Sequence, residues 1–194
     1  VCSSDLALRG DRPRDMSDED YNNRTFLHAS DIIQIIHKHS NLCVAAACYP
    51  EIHPESETRE SDLHYLKEKV DSGVNFLITQ MFFDNTIFYN FLYRIREIGI
   101  AVPVVPGIMP VTKGNQMKRI SEMSGTVLPQ RFRDVLDRFG EDPKAMQQAG
   151  IAYATDQIID LFANGINHVH VYSMNNPAVA TAIMHNLSDI VKNG

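Results

Sequence analysis

The chain has 194 residues, of which 44% are hydrophobic and 22% charged, with a formal net charge of −6. That balance fits one globular domain, two at most, and excludes a polybasic binder of nucleic acid or of membrane surfaces. No apolar run approaches the roughly 18–20 residues that a bilayer span needs, and three cysteines (Cys2, Cys43, Cys48) fit neither a disulfide framework nor zinc spacing but suit a reducing cytoplasm.

Residues 1–14 lack the basic-then-apolar layout of a signal peptide, and the start at Val1 rather than Met suggests a piece of something longer. Short apolar runs at 6–8, 42–47, 76–78, 102–105 and 169–172, each bounded by polar or turn residues, predict five buried strands. Residues 1–5 make a poor strand. Between the runs lie helical patterns. His37-Lys38-His39 ends the first and complements its C-terminal dipole. Leu63, Leu66 and Val70 mark a second, stopped by Gly73. Asp84 or Asn85 caps a third, whose stripe is Ile87, Phe88, Phe91, Leu92, Ile95 and Ile98, ending at Gly99. Extra helix is expected over 129–139. Asp142-Pro143 is a cap with a first-turn proline, opening a helix through Ile151, Ile158, Ile159 and Phe162 to Gly165. A last helix follows Pro177, with Val179, Ile183, Met184, Leu187 and Ile190 on one side.

Strand alternating with helix predicts a parallel sheet covered by helices. Two architectures fit: a (βα)8 barrel missing its first strands, since a complete one takes about 250 residues, or an open five-stranded doubly wound sheet. In both, function gathers past the carboxyl ends of the strands. Those positions hold Arg9-Gly10-Asp11, then Tyr49 to Pro54, Thr79-Gln80-Met81, Pro106-Gly107-Ile108 and Tyr172 to Asn175. Loops there are commonly polar whatever their role, but each end offers polar groups or a close backbone approach. Arg9 suits a phosphate, and Gly10 lets the backbone come near it. Asp62 and Lys69, seven apart, share a helix side and can meet sugar hydroxyls and a phosphate, or simply face solvent. His168 and His170 alternate on a strand and have the spacing of a metal pair, but no companion carboxylate or cysteine cluster accompanies them, and half-buried barrel-wall histidines are the preferred reading. No Gly-x-Gly-x-x-Gly, P-loop or Gly-x-Ser-x-Gly occurs, which weakens the dinucleotide-sheet and serine-hydrolase readings.

Several motifs stand in register: Leu8-Arg9-Gly10-Asp11; Ala46-x-x-Tyr49-Pro50-Glu51-x-His53-Pro54-Glu55; Asp62-x-x-x-x-Lys67-x-Lys69-Val70-Asp71-x-Gly73; Ile78-Thr79-Gln80-x-Phe82-Phe83-Asp84; Pro106-Gly107-Ile108-x-Pro110; and His170-x-Tyr172-x-x-Asn175. Together they resemble the methylenetetrahydrofolate reductase family, in its bacterial catalytic-domain form, over nearly the whole chain from Leu6. The resemblance implies an α/β barrel of eight strands holding FAD non-covalently. It implies transfer of hydride from NADH or NADPH through FAD to 5,10-methylenetetrahydrofolate, giving 5-methyltetrahydrofolate. Residues 1–194 would then be one N-terminally truncated catalytic domain, a partial barrel of about five parallel strands, the fourth to the eighth. The first three strands, and with them the family's glutamate general acid, would be absent, so impaired activity is expected of the isolated chain.

Carried over by position, Asp11 sits near the flavin's pyrimidine edge, where a carboxylate disfavours negative charge on reduced flavin and favours a developing folate cation. Arg9, Gly10, Ala29, Tyr49, His53, Asp62 and Lys69 contact FAD. Gln80 meets the pterin and, in turn, the nicotinamide, because an amide both donates and accepts. Gln116 helps hold the folate. Three positions depart from the family: His28 stands for a usual Tyr in the flavin site, Tyr65 for a smaller polar residue, and Asn176 for a folate-binding Arg after Met174 in place of Leu. The loop over 12–25 is longer than usual. Expected with the resemblance are a folate and a nicotinamide partner, a possible homo-oligomer, a cytoplasmic location, and neither nucleic acid nor membrane nor metal. The alternatives are a non-catalytic FAD-binding fragment and a metal-dependent barrel hydrolase built on His168 and His170.

Overall fold

A computed structural model describes residues 4–8, 15–23, 28–117, 120 and 124–192. The expected Arg9-Gly10-Asp11 contacts lie outside the described residues. In chain order the elements are β1 (Ser4–Ala7), α1 (Asp18–Asn22), α2 (Ala29–His39), β2 (Cys43–Cys48), α3 (Arg59–Asp71), β3 (Phe76–Thr79), α4 (Asn85–Glu97), β4 (Val104–Val105), β5 (Gly107–Ile108), α5 (Gln130–Phe139), α6 (Pro143–Ala163), β6 (His170–Val171), α7 (Pro177–Asn186) and α8 (Ser188–Val191).

The strands pair in parallel and in chain order, β1-β2-β3-β4, with β5-β6 as a second ladder. A doubly wound sheet reverses its strand order at a switch point; no reversal occurs among the described strands. Alternation along β2 explains the layering. Val44, Ala46 and Cys48 enter a core with Ala7, Leu77, Ile33 of α2, Leu66 of α3, and Phe91 and Ile95 of α4. A second core joins Phe82, Phe88 and Ile108 to Ala154, Ile158 and Leu161 of α6 and to Val179 and Ile183 of α7. A third sets Phe83 against Phe132, Val111, Met117 and Met146. The adjacent rings of Phe82 and Phe83 thus dive into different cores, stacking on Phe88 at 5.5 Å and on Phe132 at 4.6 Å. That double anchor fixes the turn just after Gln80.

The helix ends obey their local chemistry. Thr58, Asp84 and Asp142 accept backbone N–H groups at the starts of α3, α4 and α6. Gly73, at φ +113°, reverses the chain after α3. No helix among the described residues is long and apolar enough to cross a membrane.

Several expectations need correction. β1 begins at Ser4, inside the stretch expected to make a poor strand, because backbone pairing of Ser4–Ala7 to Cys43–Ala46 carries the strand through exposed Asp5. The run at 102–105 pairs only over Val104–Val105, and past Pro106, which lacks an N–H, the expected strand-end segment forms a further short strand, β5, paired with β6. β6 starts only at His170, so exposed His168 precedes the strand and the two do not form an alternating strand pair. The last helix does not run to Ile190 unbroken; it turns at Leu187 into α8. His37 is more than a dipole complement, since its Nε2 donates to Gly73 O at 2.8 Å and ties α2 to the end of α3.

Candidate functional site

β2 and β3 end side by side, and their ends carry most of the expected chemistry. Past β2 the chain turns through Tyr49-Pro50, and the Tyr49 ring meets the His53 ring edge-on at 4.5 Å. Glu55 N–H donates to His53 Nδ1 at 3.0 Å, so the neutral imidazole carries its proton on Nε2. From α3, Lys69 reaches back to the strand and donates to Ala47 O at 3.0 Å. One side of the same helix places Asp62, whose carboxylate accepts from Ser56 Oγ at 3.0 Å. Burial pushes the Cys48 thiol well up, with Lys69 pulling it down and Asp62 pushing it up, so both charges are felt at one strand end. Tyr49, His53, Asp62 and Lys69 thus stand around the end of β2 and the loop after it, a cation, a carboxylate and two rings whose chemistry fits a phosphorylated ring cofactor.

Gln80 closes the other side. Its backbone N–H donates to Cys48 O at 2.7 Å, and its Oε1 accepts Met81 N–H at 3.0 Å. The carboxamide acceptor is thus committed locally, and its donor end is the half not spent on Met81. A small cavity at this mouth is lined by Tyr49, Glu51, Gln80, Met81, Ser124 and Thr126. A larger cleft, between Lys113–Asn115 and the α5–α6 turn, lies away from the β2 and β3 ends.

Glu51 lines the same mouth, although no motif assigns it a role. Both its carboxylate oxygens accept Val127 N–H, at 3.1 and 2.9 Å, which pins the 124–128 segment across the mouth. Thr126 Oγ1 then donates to Met81 O at 3.4 Å. Burial raises the Glu51 pKa above the ordinary carboxyl value, although the Val127 bond and Arg59 lower it. A raised folded pKa contributes stability that is complete below the unfolded value and lost as pH rises through the folded one. Stability should therefore fall on leaving acidic pH through the range just above ordinary carboxyl titration. E51Q keeps an acceptor for Val127 and cannot ionise, so denaturation midpoints measured across that range should flatten in the variant; an unchanged slope counts against Glu51.

The other expected residues are more scattered. His28 is exposed at the N-cap of α2, its N–H donating to Asp31 at 3.0 Å, and Ala29 opens that helix. Tyr65 is 59% exposed and leans on His64 rather than into the corner. Gln116 and Asn176 are half-buried on the loops after β5 and β6, outside the hydrogen-bond group around Gln80. Met174 and Asn175, just before Asn176, both adopt left-handed backbone, at φ 51° and 57°. Such strain at a strand end concentrates at functional loops. Among the described residues no three His, Cys, Asp or Glu side chains gather as a metal site, around His170 or elsewhere.

Comparison with known proteins gives a consistent picture. The family model described as methylenetetrahydrofolate reductase matches residues 2–188. A 5,10-methylenetetrahydrofolate reductase of Pectobacterium carotovorum is 32% identical over 94% of this chain and 59% of its own length. The protein of that name from Escherichia coli is 32% identical over 94% of this chain and 60% of its own. Methylenetetrahydrofolate reductase (NADH) 1 of Zea mays is 35% identical over 94% of this chain and 32% of its own. The chain thus spans about three fifths of the bacterial relatives and a third of the plant one. Among solved structures, an uncharacterized Clostridium thermocellum protein, described as binding two copies of 5-methyl-5,6,7,8-tetrahydrofolic acid, superposes with a TM-score of 0.59 at 15% identity. The match covers 87% of this chain and 60% of that one, a likeness of fold.

Proposed function

Because the chain belongs to the methylenetetrahydrofolate reductase family, we propose that it forms the flavin- and folate-facing part of such a reductase. Hydride would pass from NADH or NADPH by way of FAD to 5,10-methylenetetrahydrofolate, giving 5-methyltetrahydrofolate. In this reading the chain-order parallel strands are an arc of a (βα)8 barrel, its fourth to eighth strands, and residues 1–194 belong to one catalytic domain. The observation that carries the reading is the convergence, at the adjacent ends of β2 and β3, of Lys69, Asp62 and the Tyr49–His53 pair beside Gln80.

FAD, when bound, would supply a two-electron carrier that accepts hydride from one substrate and gives it to the next. Lys69 would hold a phosphate through a charge-assisted bond, Asp62 would accept from sugar hydroxyls, and Tyr49 and His53 would wall the cofactor. Arg9, Gly10, His28 and Ala29 complete the proposed cofactor set, with Tyr65 an outlying member that contributes little to affinity. Asp11 keeps its proposed place at the pyrimidine edge, where its charge favours hydride donation. Gln80, released from Met81, would offer both halves of its amide to the pterin and, in turn, to the nicotinamide. Gln116 and Asn176 would hold the rest of the folate. A cytoplasmic location and a homo-oligomer belong to the same reading.

The test is to load the purified chain with FAD, desalt it, record the visible spectrum, and add NADH or NADPH without oxygen. A retained flavin band that bleaches supports the reductase reading. A retained band that neither coenzyme bleaches favours the alternative, a fragment that binds FAD without turnover. A flavin-free protein peak removes the cofactor assignment for this chain.

A further inference from the structure

The peptide linking Thr79 to Gln80 is held at both ends by different strands. Its N–H, that of Gln80, donates to Cys48 O on β2 at 2.7 Å. Its carbonyl, that of Thr79, accepts the Tyr172 hydroxyl at 2.8 Å, and Tyr172 stands just past β6, in the second ladder. In a regular parallel ladder the Thr79 carbonyl would instead accept the N–H two residues past Val105, which is that of Gly107. Here Gly107 N–H turns to Thr79 Oγ1, at 2.8 Å. The vacated backbone acceptor is buried, since Thr79 has no exposed surface, and such a carbonyl demands a donor. The phenol supplies it across a gap that only a glycine permits: a Cβ on Gly107 would lie 2.6 Å from the Tyr172 ring and closer still to Thr79 O.

We infer that Tyr172 is a positioning residue, whose hydroxyl fixes the Thr79–Gln80 peptide plane and so aims the Gln80 side chain at the mouth between β2 and β3. This rests on the proposed role of Gln80 as a ligand contact. Rotating that peptide about its flanking bonds swings the Gln80 Cα–Cβ direction, and both anchors must yield for it to turn. The His170 ring braces the phenol edge-on at 4.6 Å, which keeps the hydroxyl on target. Burial, with Cys48 and Tyr49 nearby, pushes the phenol up to about 12, so it stays a donor at any ordinary assay pH.

The experiment compares the 194-residue chain with Y172F, which keeps the ring and removes one hydroxyl. Amide exchange of Gln80 N–H should quicken about tenfold, the scale of one neutral hydrogen bond, with Leu77 N–H unchanged. In the FAD-loaded chain, affinity for 5-methyltetrahydrofolate should fall about tenfold while FAD affinity holds. T79V, which removes only the side-chain acceptor of Gly107 N–H, should quicken Gly107 and spare Gln80. Should Y172F not fold, 3-fluorotyrosine at position 172, a stronger donor, should slow Gln80 exchange. Unchanged Gln80 exchange in a folded variant overturns the inference, as does equal loosening by Y172F and T79V or an equal loss of FAD and folate affinity. Failure of the unaltered chain to bind the folate would remove the functional reading alone, since the exchange data judge Tyr172 independently.

Discussion

Gly150→Ala is expected to destabilise the chain by about 2–3 kcal/mol, the upper part of the usual overpacking range. In an open helix interior the same change would stabilise by about 1 kcal/mol, from helix propensity alone. The sign is set by what lies against the helix. Gly150 is buried within α6, and a Cβ there would run into the carbonyl group of Val111, which is backbone rather than the yielding end of a side chain. Val111 belongs to the loop that leaves β5 and carries Gln116. Pushing it outward would disturb the third core around Val111, Met117 and Met146 and displace a proposed folate contact. A thermal melt should show a drop of roughly 5–10 °C for a chain of this size. A neutral or stabilised variant would mean the loop moves freely, and that the tight helix–loop contact does not position Gln116.

Lys69→Met should weaken FAD binding by about 10- to 100-fold, the loss of one charge-assisted bond worth roughly 1.5–3 kcal/mol. Methionine keeps the apolar stem and removes the ammonium, so packing between α3 and β2 is largely preserved. The ammonium already reaches the strand end through Ala47 O, which places it within the corner rather than in solvent. Tyr65→Ala is the companion measurement. Its ring is 59% exposed and leans on His64, so its loss should cost little affinity. Titration of FAD into each variant, followed by flavin fluorescence, reads both. Equal losses would shift the cofactor outward along α3, and no loss at Lys69 would move it off this corner.

Those contrasts show what the sequence made legible. The strand–helix alternation and the caps at Asp84 and Asp142 follow from patterns that repeat over several residues and depend on local chemistry, whereas the set of Tyr49, His53, Asp62 and Lys69 is legible only through the family resemblance. The break at Pro106 was foreshadowed by the missing N–H, yet a run of apolar residues hides it. Glu51 and Tyr172 stand within motifs that assign them no role. Their importance comes from partners 76 and 93 positions away, Val127 N–H and Thr79 O, and no local spacing encodes such a pairing. His168 misled for the opposite reason: alternation in sequence became a face only where the chain pairs as a strand, and pairing began two residues later.

Cys48 carries a kinetic consequence. Its thiol is fully buried in β2 and donates to Ile78 O at 3.7 Å, and burial holds it protonated. A thiolate is the species that reacts with disulfide reagents, so this sulfur is silent while β2 and β3 stay zipped. Cys43, at the start of the same strand, is only half-buried. Labelling should therefore be biphasic between these two positions, and the slow phase would time the opening of the sheet beside Lys69 and Gln80. A cofactor that bridges that corner would lengthen the slow phase by the factor 1 + [L]/Kd, turning one native sulfur into a stopwatch for the site.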